Sequence, residues 1–110
     1  MIHMLSAFNL KPGEDFEAFK LAYADFVDDA IKAGIVAHAE PIGQRVSDTP
    51  MDTDDDRTHQ YFSIMSFKDR AQLDASYDYI ERHAMPTTKT HVQMYKRIRD
   101  SVFTCWEDAG

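Results

Sequence analysis

Apolar side chains recur along this chain with two different periods, and each period predicts one type of element. Residues 2–10 form an apolar run closed by Lys11, Pro12 and Gly13, which predicts a strand followed by a turn. From Phe16 to Ile31 apolar residues return every three or four positions, the spacing of one helical face. Acidic residues precede this helix and Gly34 follows it, as is typical of helix boundaries.

The rest of the chain predicts two strands, two helices and a closing strand. Residues 35–46 and 59–67 suit strands and are separated by a polar loop over 47–58. Asp69 and Gln72 form a capping box that begins a second helix, and Pro86 ends it. The segment 87–100 predicts a shorter third helix, residues 101–107 a last strand and residues 108–110 a frayed tail. The apolar face of the second helix is predicted to comprise Leu73, Tyr77, Ile80 and Ala84, and that of the third Val92, Tyr95 and Ile98.

This order of elements predicts a single α+β domain over residues 1–110. It is the split βαβ order, βαββαβ, of ferredoxin-like folds, with an extra short helix before the last strand. Right-handed crossovers place the first and third of four antiparallel strands at the centre, with both main helices on one face of the sheet. The other face stays bare and apolar, so we expect a homodimer in which two sheets enclose a cavity.

Three stretches resemble the dimeric α/β barrel superfamily, which includes stress-responsive barrel proteins and antibiotic-biosynthesis-type monooxygenases. They are FNLKPGEDFEAFKLAY after the first strand, YFSIMSFKDRAQLDASYDYIERH from the third strand into the second helix, and HVQMYKRI before the last strand. The resemblance implies a barrel dimer closed through the bare sheet face. Phe67 stands where monooxygenase-type members often carry Trp, and His91 matches a histidine seen in several relatives.

Composition and charge limit the classes of partner and the cellular location that we expect for this protein. A formal net charge of −7 argues against binding nucleic acid or an anionic membrane surface. No apolar run approaches the roughly 20 residues needed to span a bilayer. The single cysteine, Cys105, excludes an internal disulfide and fits a reducing compartment, so we expect a cytoplasmic protein. We expect no cofactor.

Strand periodicity predicts which side chains face the cavity, because alternate residues point to opposite faces. Bulky helix side chains favour small partners, which places Leu5, Ala7, Ala37 and Ala39, with Phe103 and Cys105, toward the helices. We expect a small hydrophobic or amphiphilic molecule, for example a fatty-acid-like one, to bind in the cavity between the two sheets, which the opposite face lines, or between the sheet and the helices. The predicted ligand-binding residues are Met4, Ser6, Phe8, His38, Glu40, Tyr61, Ser63, Met65 and Trp106, flanked by Val36 and Thr104.

Two other interpretations remain open for this face. One is a dimer core that simply packs without a ligand. The other is a cofactor-independent monooxygenase or isomerase acting on a small aromatic or polyketide-like substrate. His38 and Tyr61 are its catalytic candidates, and the Glu40 carboxylate would influence the pKa of the His38 imidazole. Arg45, Arg97 and Arg99 are candidates for holding a carboxylate at the cavity mouth.

Metal binding is not favoured by the residue pattern. His38 and Glu40 can reach one ion from a shared strand face, but a third ligand is missing. Alternating acidic residues in the loop resemble a calcium loop only superficially, because Arg57 and Ser63 stand where that loop needs Gly and Glu. We therefore expect no metal site and a solvated, mobile loop.

Overall fold

The computed structural model describes residues 1–85 and 87–110, which form one antiparallel sheet and three helices. The predicted end of the second helix at Pro86 lies outside the described residues. The strands are β1 (Ile2–Leu10), β2 (His38–Ala39), β3 (Gly43–Gln44), β4 (Tyr61–Phe67) and β5 (Ile98–Glu107). The helices are α1 (Phe16–Lys32), α2 (Arg70–Glu81) and α3 (Thr87–Tyr95).

The sheet confirms the predicted α+β fold and its strand order. Neighbouring strands run β2-β4-β1-β5, and β3 also pairs with β4, so β1 and β4 are central as predicted. The second predicted strand forms as two short pieces, which gives five strands in place of four. Pro41 lies between the pieces and cannot donate a ladder hydrogen bond, which explains the break at this sheet edge.

Local hydrogen bonds fix the helix boundaries that the sequence indicated. The Asp15 carboxylate caps α1 by accepting from the Ala18 N–H, and Gly34 follows α1 with a φ of 75°. Asp69 caps α2 by accepting from the Gln72 N–H at 2.8 Å. The Gln72 side chain bonds Lys68 N–H and Gly34 O, so it ties α2 to the end of α1.

The short helices match the predicted faces only in part, and Ala84 lies beyond the end of α2 at Glu81. Tyr77 of α2 is exposed, while Leu73 and Ile80 pack against the core. In α3 the buried apolar side chain is Met94, and the predicted Val92 and Tyr95 are exposed. Ile98 is buried as the first residue of β5 rather than as part of a helix.

The last strand begins at an irregular corner. Pairing between β1 and β5 shifts register between Ala7 and Asn9, and Asp100 takes a φ of 58° there. The buried His59 ring reaches across the end of β1, and its Nε2–H donates to the Asp100 carbonyl at 2.6 Å. This contact holds the corner in place.

Candidate functional site

Contacts between helix and sheet show which sheet face is covered. Phe8 of β1 is 2% exposed, and its ring centroid lies 5.2 Å from that of Phe19 in α1. Tyr61, the register partner of Phe8, stacks on Phe16 at 5.2 Å. Since directly paired residues share a face, six of the predicted ligand-binding residues point toward the helices: Met4, Ser6, Phe8, Tyr61, Ser63 and Met65.

The predicted facing of β1 and β4 toward a cavity between two sheets is therefore wrong. The prediction assumed that bulky helix side chains need small partners on the sheet, but here large aromatic rings interdigitate with one another. The small Ala7 lies on the bare face instead, paired with Phe62 and Val102.

The outer strands follow the predicted facing at His38, Ala39 and Trp106, but not at Val36, which is 3% exposed and packs in the hydrophobic core instead of lying on the bare face. His38 pairs with Ser66 on the bare face, while Ala39 pairs with Met65 and packs against the core. Trp106 pairs with His3 on the bare face, and the two ring centroids are 5.2 Å apart. Cys105 points to the helix side of β5, as predicted, but is exposed.

The two catalytic candidates lie on opposite sides of the sheet. His38 is on the bare face, whereas Tyr61 stacks between Phe8 and Phe16 on the helix side. His38 Nε2 is 3.8 Å from Glu40 Oε1, and both side chains are about half exposed. His38 and Tyr61 therefore do not form one site within a protomer.

A polar spot interrupts the apolar layer between α1 and the sheet. Ser6 and Ser63 are directly opposite each other on β1 and β4, and both are at least nine-tenths buried. Tyr23 of α1 is 6% exposed, and among the described residues its hydroxyl has no hydrogen-bond partner. The Ser63 hydroxyl lies near enough to the phenol to lower its pKa, but the two groups are not in hydrogen-bond geometry.

The environment keeps this phenol protonated. Burial raises the pKa of Tyr23 above its usual value of 10.0, the Ser63 hydroxyl opposes that rise, and the Glu40 charge adds to it. The phenol is therefore a neutral hydrogen-bond donor at physiological pH. The sequence placed Tyr23 on the buried helix stripe, but no pattern indicated that its hydroxyl would lack a partner.

A second polar group, on the bare face, is satisfied internally. His3 Nε2–H donates to Asp108 Oδ1 at 2.8 Å, and His3 Nδ1 accepts from the Ser66 hydroxyl at 2.7 Å. The His3 hydrogen bond holds the pKa of Asp108 below its usual value. Asp108, predicted to fray, also donates its N–H to Met1 O, so the tail is anchored at its first residue.

The arginine candidates have partners of their own. Arg45 bonds both Asp52 carboxylate oxygens and the Asp54 carbonyl, so it orders the loop that we expected to be mobile. The Arg97 guanidinium donates to Glu14 at 2.9 Å. Arg99 lies 3.6 Å from the Asp100 carboxylate.

The described residues contain two surface grooves and no recognisable metal cluster. A groove of about 390 Å³ between α2 and α3 is lined by His83, Thr88 and His91, and burial lowers the pKa of His91. Another groove, of about 430 Å³, lies between α1 and α3.

Within residues 1–85 and 87–110, no three His, Cys, Asp or Glu side chains are grouped to hold a metal ion. None of the helices described there is long and apolar enough to cross a bilayer.

Solved structures share this fold at low sequence identity. Protein At3g17210 from Arabidopsis thaliana matches with a TM-score of 0.76 and 6% identity, over 100% of this chain and 97% of that one. A dimeric ferredoxin-like protein of unknown function from Jannaschia sp. CCS1 matches with a TM-score of 0.66 and 15% identity, over 97% and 98%. A dabb family protein with a ferredoxin-like fold from Mesorhizobium loti matches with a TM-score of 0.53 and 17% identity, over 99% and 97%.

An enzyme is also among the proteins of this fold. An antibiotic biosynthesis monooxygenase matches with a TM-score of 0.57 and 16% identity over the full length of both chains. No protein-family model and no curated protein matches the sequence. At these identities the likeness concerns the fold alone. The chain thus has the ferredoxin-like α+β fold found in dimeric α/β barrel proteins.

Proposed function

We propose that this protein is a homodimer that binds a small hydrophobic or amphiphilic molecule between α1 and the sheet of each protomer. The observation that carries the proposal is the buried Tyr23 hydroxyl without a partner. A buried polar group in a native protein normally has a hydrogen-bond partner, and a bound molecule or water would supply one here.

The surroundings of this hydroxyl suit an amphiphilic ligand. Ser63 adds a hydroxyl group near Tyr23, Ser6 lies directly opposite Ser63 on β1, and the neighbouring side chains are apolar. Tyr61 and Ile42 are only partly buried against the core, which would let a ligand enter at that end of the layer. A few polar groups within apolar walls are typical of sites for small organic molecules. The proposed apolar contacts are Met4, Phe8, Tyr61 and Met65.

The homodimer is supported by the bare sheet face. Leu5, Ile64 and Trp106 lie there with no helix over them, and Trp106 is 43% exposed. Burial of such a face against a second copy would stabilise both protomers. In that dimer His38 and Glu40 would line a separate space between the two sheets.

The single free cysteine, Cys105, is consistent with a location of the protein in the reducing cytoplasm.

Native mass spectrometry tests ligand binding directly. The purified dimer should carry an added mass that organic extraction removes. Tyr23→Phe should reduce the occupied fraction, while Tyr77→Phe, which changes an exposed tyrosine of α2, should not. Wild-type protein with no extractable molecule, and no uptake of added ligand, would contradict the binding proposal.

Light scattering tests the dimer separately. Leu5→Lys places a charge at the centre of the bare face and should give a monomer at micromolar concentration. Phe103→Lys changes an exposed residue on the helix side of β5 and should leave the dimer intact. A wild-type monomer, or a dimer insensitive to Leu5→Lys, would rule out association through this face.

A further inference from the structure

The last strand, β5, is exposed on both of its faces. Val102 and Trp106 on the bare face and Phe103 on the helix side are each between 43% and 48% exposed. Among the strands that the structure describes, β5 pairs with β1 alone, so its outer edge has no neighbouring strand. A long, apolar edge strand of this kind is a template on which a further strand can pair.

The hydrogen bonds between β1 and β5 show which main-chain groups point outward. Asp108 donates its N–H to Met1 O at 3.0 Å, in the same register that pairs residues 102–107 with β1. In an antiparallel ladder every second residue exchanges hydrogen bonds with its neighbour, so the even-numbered residues of this stretch bond β1. The N–H and C=O groups of Phe103 and Cys105 therefore point to the outer edge.

The two edges of the sheet differ in how they are protected. At the opposite edge the strand is split into the two-residue pieces β2 and β3, with Pro41 between them. Residues 102–106 contain no charged residue, proline or glycine, and the register shift of β5 lies before them. This edge is therefore open to a partner strand.

The sequence of the open edge is complementary to itself. Two antiparallel copies of β5 pair around a two-fold axis at Thr104, which then lies opposite Thr104 of the partner subunit. Val102 lies opposite Trp106 of the partner subunit on the bare face. On the helix side Phe103 lies opposite Cys105 of the partner subunit, and these two residues carry the outward N–H and C=O groups. Thr–Thr and aromatic–β-branched pairs are favourable across antiparallel strands.

Resting on the proposed homodimer, and deepening it, we infer that its two protomers are also joined edge to edge through β5, with Thr104 at the two-fold axis. The pairing continues the face-to-face contact, because Val102, Thr104 and Trp106 belong to the bare face. It closes one side of the space between the two sheets. Phe103→Lys is compatible with this arrangement, because the variant keeps its main-chain N–H and its side chain points to solvent on the helix side.

Engineered disulfides test the pairing and its register. Opposite residues that do not exchange hydrogen bonds have Cα atoms about 4.5 Å apart, a distance that a disulfide spans. Thr104→Cys in a Cys105→Ala background should therefore give a covalent dimer under mild oxidation, seen by non-reducing electrophoresis. Val102→Cys in the same background is the matched control. Its two copies lie four residues out of register, roughly 14 Å apart, and should not cross-link.

Proline substitution tests the main-chain hydrogen bonds. Cys105→Pro removes an outward N–H and leaves the hydrogen bonds to β1 in place, whereas Cys105→Ala keeps the N–H. Two-fold symmetry removes two hydrogen bonds per dimer, so Cys105→Pro should raise the dissociation constant at least about tenfold. Cys105→Ala should leave it within about twofold. Thermal denaturation checks that both variants fold.

The outcomes separate this inference from the proposed function. A dimer that Leu5→Lys dissociates, but that neither responds to Cys105→Pro nor cross-links through Thr104→Cys, would overturn the edge pairing and leave the face-to-face dimer in place. Efficient cross-linking through Val102→Cys would show a different arrangement of the strands and would also overturn it. A wild-type monomer would remove the homodimer and the edge pairing together.

Discussion

Removing the Tyr23 hydroxyl should stabilise the ligand-free protein. A buried donor without a partner carries an uncompensated desolvation penalty of about 1–3 kcal/mol. Tyr23→Phe deletes the hydroxyl and keeps the buried ring beside Phe19, so little packing is lost. We expect a gain of about 1–2 kcal/mol, and each kcal/mol raises Tm by about 4–8 °C in a domain of this size.

The assay is thermal and urea denaturation of extracted protein, with Tyr77→Phe as the matched control. Tyr77 is 71% exposed, so its hydroxyl is hydrated and its removal should change stability by less than about 0.5 kcal/mol. Destabilisation of the extracted Tyr23→Phe protein by more than about 1 kcal/mol would refute the reasoning, because it would show that the hydroxyl has a partner in the ligand-free state. A gain in stability together with a loss of ligand binding would show that the Tyr23 hydroxyl serves binding and lowers the folding stability of the protein.

Three further predictions concern the loop, a helix cap and the dimer. Hydrogen bonds from Arg57 lower the pKa of Asp54 from 3.8 to about 2, so its stabilising effect on the loop is complete above pH 4 and is lost as the pH falls through 2. Hydrogen exchange, corrected for the intrinsic exchange rate at each pH, should show lower protection of the loop amides at pH 2 than at pH 5, and equal protection would contradict this. Asp69→Ala removes the cap of α2 and should cost about 1 kcal/mol in urea denaturation, whereas Asp74→Ala, within the helix, should cost less. Fluorescence of Trp106, the single tryptophan, should shift to longer wavelength when the protein is diluted into its monomeric range, and an unchanged spectrum would place Trp106 outside the interface.

Local signals in the sequence were sufficient to predict most elements. The three- and four-residue spacing from Phe16 to Ile31, and the acidic caps before each main helix, depend on neighbours within one turn of the chain. Pro41 likewise lacks the N–H that a central strand needs, which is a property of the residue itself. These features need no information from distant residues, and the sequence by itself determined them.

Only the tertiary structure decided which face of each central strand is covered. Alternation shows that Met4, Ser6 and Phe8 share a face, but the same alternation fits either side of the sheet. The choice depends on how Phe8 and Phe19, eleven residues apart, fit together in three dimensions. The unpartnered Tyr23 hydroxyl has the same origin, because the groups around it come from a helix and two strands that are distant in sequence.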